Sequence, residues 1–280
     1  MFSVSNSGGI APSALGNQAK YECDGYWYKA GFLGYEGAAE YLASYVMQYT
    51  DLNESEFVKY DLVTMEQNGK MVTGCVSKDF KAPDEFVITI ARLLKSVDRD
   101  YYNQISLNAW QQLATTDKIQ SFVSVVEQNT GIKDFGVYLS KLLDVDYLTL
   151  NEDRHFNNIA LLYNKKQGKF RPAPIFDCGM GFLSNLRTKY SEDGNVRKEL
   201  NGVKARPFAT SFEKQVEACH TLYGTGVELK TPDISPAIER IRAVYGDTIA
   251  SRIRAIVLIH FPRVSTLLAQ PTVSKSSVFT

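Results

Sequence analysis

Asp153, Asn158 and Asp177 are the side chains whose types and spacing most directly imply chemistry. Asp153, Arg154 and His155 stand in a polar turn, Asn158 follows, and an apolar run over 159–163 begins at once, so a polar loop feeds a buried strand. Pro174, Ile175 and Phe176 read as a second short strand whose end delivers Asp177, and Gly179 lets the chain turn sharply. Residues 164–169 read as a hairpin connection, which brings Asp153, Asn158 and Asp177 to one end of a two-stranded ribbon. Three oxygen-bearing side chains on adjacent loops suit phosphoryl transfer. One Asp orients and deprotonates the acceptor hydroxyl, while an Asn and a second Asp hold magnesium against nucleotide phosphates. Magnesium prefers hard oxygen ligands and shares its shell with phosphates, so one carboxylate and one amide suffice.

The pattern D-R-H-x-x-N at 153–158, followed by I-F-D-x-G at 175–179, resembles the catalytic and metal-binding loops of HipA-like protein kinases. It resembles phosphoinositide 3-kinase-like enzymes more distantly. The resemblance extends to 26–43, where an x-x-K strand precedes a helix of the form E-x-x-x-x-x-L-A. It implies an α+β, two-lobed protein-kinase-like fold, with a small antiparallel β lobe over 1–80 and a larger, mainly helical catalytic lobe over 81–280. ATP and magnesium would occupy the cleft, and the γ-phosphate would pass to Ser or Thr of a protein. On this resemblance Asp153 is the acceptor-orienting base, and Arg154 and His155 beside it in the catalytic loop are loop-organising residues, with His155 as proton donor or base the alternative. Asn158 and Asp177 are the magnesium ligands, Lys29 the phosphate-binding lysine, and Glu36 the residue that positions it. Full HipA toxins carry a further N-terminal domain, so a compact form with kinase lobes only is expected here, and an antitoxin-like regulator is a conceivable partner. The rival readings are a nucleotide-binding pseudokinase and a small-molecule or lipid kinase.

Composition narrows the partners. Of 280 residues, 44% are hydrophobic and 22% charged, an ordinary globular balance long enough for two lobes. Thirty-one basic and 31 acidic residues cancel, so no global field draws the chain to nucleic acid or an anionic membrane. Apolar runs such as 255–259 fall far short of the roughly 18 to 20 residues that span a bilayer. The N-terminus lacks the features of a secretory signal, and a cytoplasmic location is expected. Cys23, Cys75, Cys178 and Cys219 form no C-x-x-C pair, and only three histidines are present, which argues against a zinc centre or a disulfide scaffold.

The remaining elements must position these groups. Gly8, Gly9 and Gly16 lie in a small-residue loop over 5–20 that lets backbone N–H groups approach phosphates, with Gly16 a candidate contact and Ser7 and Ser13 candidate autophosphorylation sites. An aromatic strand at 26–30 carries Lys29, and a helix over 36–50 follows. Glu40 lies one turn beyond Glu36 on the same side and is the alternative partner for Lys29. Residues 56–77 read as a hairpin about Asn68 and Gly69. Lys78, Asp79 and Phe80 then fall at the hinge position, offering backbone N–H and C=O groups to an adenine edge. Helices are expected over 85–94, 117–127, 135–147 and 212–223, then over 236–245 after a Ser235 N-cap, and over 247–261. The polar stretch 179–209 reads as a substrate-contacting, mobile or merely solvated segment, and His220 and His260 as structural residues.

Overall fold

The computed structural model describes residues 19–67, 69–105 and 107–268. Gly8, Gly9, Gly16, Ser7 and Ser13 lie outside the described residues. Strands β1 (Lys20–Cys23) and β2 (Tyr26–Ala30) form a hairpin whose turn residues, Asp24 and Gly25, have φ of 51° and 76°. Positive φ at both turn positions gives a twist that matches the strands. Strands β3 (Tyr60–Gln67) and β4 (Lys70–Lys78) form the second hairpin, and the antiparallel sheet runs β1-β2-β4-β3.

Helix α1 (Glu36–Met47) packs on β3 and β4, and also on helices of the larger lobe. Its Ala38, Ala39, Leu42, Ala43, Val46 and Met47 are all buried, as an element enclosed on both sides requires. The approach to the sheet is backbone to backbone. A Cβ on Gly37 would lie 2.6 Å from the Gly74 carbonyl carbon, and one on Gly74 would lie 2.1 Å from the Lys29 carbonyl oxygen. Glycine at both positions therefore sets α1 close to the strand that carries Lys29.

The larger lobe opens with β5 (Glu85–Thr89), which pairs antiparallel with β6 (Ala160–Asn164), itself paired with β7 (Lys169–Pro172). The helix expected over 85–94 is thus corrected. Val87 and Ile88 pair with Leu162 and Leu161, and helix α2 (Ile90–Val97) starts only after Thr89, whose side chain accepts the Arg92 N–H at 3.3 Å. β-branched residues with a strand to pair against favour the sheet, and threonine then caps the helix. The strand expected at 174–176 is also displaced: β7 ends at Pro172, and Ile175 instead makes a single parallel bridge to Phe57.

Helices α3 (Arg99–Ile105), α4 (Asn108–Gln112), α5 (Thr115–Thr130), α6 (Phe135–Thr149), α7 (Val196–Leu200), α8 (Phe212–Tyr223) and α9 (Ser235–Leu268) complete the lobe. Helix α9 is broken at Gly246, at φ 85°, where the sequence divides its two expected helices. Phe122 of α5 stacks on Phe156 at 5.0 Å and contacts Phe208 at 5.2 Å, so this aromatic core reaches into the loop that follows α6. Among the described residues no helix is long and apolar enough to cross a membrane.

Candidate active site

Helix α6 stops at Leu150, whose φ of 56° turns the chain into the loop 151–159. One buried guanidinium organises that loop. Arg154 Nε donates to both oxygens of Asp146 at 3.1 and 2.9 Å, and Nη2 donates to Asp146 Oδ1 at 3.0 Å. Its Nη1 donates to the carbonyls of Asn158 at 2.5 Å and Phe176 at 2.8 Å. The segment ending in Asn158 is thereby tied to the segment that delivers Asp177. Burial opposes the Arg154 charge, but the Asp146 carboxylate outweighs it and holds the guanidinium above its usual range. Asn151 repeats the tie, with Nδ2 donating to Asp146 Oδ1 at 2.9 Å and the Asp177 carbonyl at 3.4 Å. The N–H groups of Ile90 and Ala91, unpaired within the first turn of α2, donate to the carbonyls of Ile159 and Phe156, both at 2.8 Å. Arg154, expected to organise the loop beside Asp153, makes its contacts to Asp146 and to the two segments themselves.

On this rigid loop Asp153 remains open. Its side chain is 39% exposed, with His155 Nε2 and Arg206 Nη1 each 3.6 Å away, outside hydrogen-bond distance. Burial pushes the Asp153 carboxyl above the usual carboxylate range, against the opposing pull of His155 and Arg206. Asn158 Nδ2 donates to the Asp153 carbonyl at 3.1 Å, which leaves its amide oxygen as an acceptor. Asp177 adopts a φ of 61°, uncommon outside glycine, and its Oδ1 accepts from the Lys29 ammonium at 2.7 Å. Burial would raise the Asp177 pKa, but Lys29 and then Lys20 outweigh it and hold the carboxyl well below the usual range. An ionised carboxylate and an amide oxygen on two tied loops fit a magnesium ion that draws the rest of its shell from phosphates. Among the described residues no group of three or more His, Cys, Asp or Glu side chains forms a metal cluster, which a shared shell does not require.

Lys29 sits in the cleft on β2, 6% exposed, between Asp177 and Glu40, with the Tyr60 hydroxyl at 3.3 Å. Glu40, not Glu36, is its carboxylate partner on α1. Glu40 Oε2 also accepts the Cys178 N–H at 2.9 Å, so one side chain joins α1 to the lysine and to the Asp177 segment. Burial favours a proton on Glu40, against the pull of Lys29; burial opposes the charge on Lys29, but Asp177 and Glu40 hold its pKa well above the usual range. Glu36 starts the helix and reaches back, accepting the N–H groups of Phe32 at 3.2 Å, Gly34 at 2.9 Å and Leu33. Its carboxylate is consumed in closing the loop before α1.

The hinge expectation is corrected in part. The Asp79 N–H is spent on the Gly25 carbonyl at 2.8 Å, and its carboxylate pairs with Lys81, so neither faces a base. Lys78 is exposed at the end of β4. Phe80 alone of the three lines the seam between lobes: it packs on Val58, Tyr60 and Cys75 and on Ala160, Leu162 and Ala173, with the Phe176 ring 5.7 Å away.

The stretch 179–209 is irregular yet packed. The Tyr35 hydroxyl donates to the Phe182 carbonyl at 2.6 Å, Arg252 pairs with Glu199 at 2.6 Å, and Phe182, Leu183, Leu200 and Phe208 are buried. Sequence reading missed Asp146, Asn151 and Tyr60. The available signal was an acid inside an apolar helix, because Asp144 and Asp146 sit among Leu142, Leu143, Val145 and Leu148. Asp144 is satisfied by His220 at 2.7 Å and by the N–H groups of Gly226 and Val227, which makes His220 structural, as expected. His260 is likewise buried, with Nε2 at 2.8 Å from the Tyr147 carbonyl.

No protein-family model matches this chain, and no curated protein matches it. Among solved structures, it is similar to the crystal structure of a Helicobacter pylori proinflammatory kinase, CtkA, with a TM-score of 0.61 over 94% of each chain and 14% sequence identity. At that identity the likeness shows the fold: α+β, two-lobed and kinase-like. It does not extend to membership of the HipA-like family.

Proposed function

We propose that this chain is an ATP- and magnesium-dependent phosphotransferase that passes the γ-phosphate to Ser or Thr of a protein, in the manner of HipA-like kinases. The observation that carries the reading is that Lys29 pairs with Asp177 and Glu40, while Arg154 ties the backbone at Asn158, on the loop of Asp153, to the backbone at Phe176, next to Asp177. Lys29 would hold the nucleotide phosphates, and Asp177 and Asn158 would hold magnesium against them. Asp153 would orient the acceptor hydroxyl and take its proton. Loose phosphoryl-transfer transition states ask for positioning and charge, which these groups supply. The sequence resemblance at 153–158 and 175–179 supports the Ser/Thr acceptor, and the balanced surface charge favours a protein acceptor over lipid. A scaffold has no chemical need for all four groups, which weighs against a pseudokinase.

The test is phosphoryl transfer from ATP with magnesium by the wild type, Glu40→Gln and Glu36→Gln, with melting temperature measured alongside. The wild type transfers phosphate, and Glu40→Gln is slower by about tenfold or more, because a charge-assisted hydrogen bond to Lys29 is worth roughly 1.5–3 kcal/mol. Glu36→Gln acts chiefly on melting temperature. A wild type inert toward several protein acceptors and toward itself, although it binds ATP, would overturn the assignment.

A further inference from the structure

Strands β1 and β2 place Lys20 directly opposite Lys29. The Ala30 N–H donates to the Ala19 carbonyl at 3.1 Å, so Ala19 and Ala30 form a hydrogen-bonded pair, and Lys20 and Lys29 are the next, non-hydrogen-bonded pair. In such pairs the Cα atoms lie about 4.5 Å apart, and both side chains leave the same face of the sheet. Like charges so placed repel, and a nearby anion offsets the repulsion. Lys29 has its offset in the carboxylates of Asp177 and Glu40. Lys20 has no ion pair or hydrogen bond to any described side chain, although it is half-buried.

We propose that Lys20 is a second phosphate-binding lysine, which with Lys29 forms a two-lysine cradle for the polyphosphate of the nucleotide. The inference rests on the kinase reading above and adds a residue to it. On the kinase reading Asp177 would be a metal ligand, Lys29 would then share that carboxylate, and the incoming ligand would bring anions for both lysines. A nucleoside triphosphate does so; a nucleoside does not.

Calorimetric titration of the full chain with magnesium-ATP and with adenosine, on the wild type, Lys20→Met and Lys20→Arg, tests this. Lys20→Met weakens ATP binding about tenfold or more, by loss of a charge-assisted hydrogen bond, while adenosine binding is unchanged and Lys20→Arg restores most of the ATP affinity. Unchanged ATP affinity in Lys20→Met overturns the proposal and leaves the kinase reading standing. An equal loss for ATP and adenosine also overturns it, because the residue then serves the strand rather than the phosphates. A wild type that binds adenosine but not ATP defeats the kinase reading itself and the cradle with it.

Discussion

Asp153→Asn slows phosphoryl transfer by roughly 10²–10⁴-fold, the usual contribution of a positioned proton acceptor, while magnesium-ATP affinity stays within about twofold. The separation follows from the geometry. Asp153 makes no hydrogen bond or ion pair to Lys29 or Asp177, and the His155 and Arg206 side chains stand 3.6 Å from it. Asparagine keeps the shape and removes the base. Single-turnover rates and equilibrium titration separate the two effects. A pH profile adds a signed check: the base must be ionised, and burial has raised its pKa, so the acid-side fall in rate lies above the ordinary aspartate value of 3.8. Transfer by Asp153→Asn within threefold of the wild type would remove Asp153 from the chemistry.

Arg154→Met destabilises the protein by about 3–5 kcal/mol, read from chemical denaturation, because it strands the fully buried Asp146 carboxylate without its partner. The double replacement Asp146→Leu with Arg154→Met removes the stranded charge and recovers part of that loss. Recovery stays incomplete, since the Asn158 and Phe176 carbonyls also lose their donor. Phosphoryl transfer does not return in the double variant, because those two carbonyls register the loops of Asp153 and Asp177. Stability of Arg154→Met within about 1 kcal/mol of the wild type would contradict the account of the guanidinium as the loop organiser.

Local signals made part of this architecture legible. The strand at 26–30 with Lys29, the Gly69 hairpin, helix α8 and the Gly246 break are encoded by residues that turn, pair or cap where they stand. The spacing of Asp153, Asn158 and Asp177 put them on two segments that Arg154 and Asn151 tie together. What escaped depends on partners distant in sequence. Residues 85–89 look helical until β6 supplies a strand to pair with, and the apolar character of Phe86, Val87 and Ile88 cannot decide the matter alone. Glu36 and Glu40 share a helix face, and only the depth at which α1 crosses the sheet, set by Gly37 and Gly74, brings the second to Lys29. Asp146 meets Arg154 only when the chain reverses after Leu150. The hinge donor at Asp79 was lost to Gly25, a turn residue more than fifty positions earlier.

The most direct test of the central claim is incubation of the wild type and Asp177→Asn with γ-labelled ATP and magnesium, scoring label on protein and free phosphate. Asp177 accepts from the Lys29 ammonium, and on the proposed reading it is the metal's one carboxylate, so its loss should abolish transfer while the chain remains folded. Label in the wild type that vanishes in Asp177→Asn is the predicted result. Equal label in both proteins would contradict phosphoryl transfer through this site.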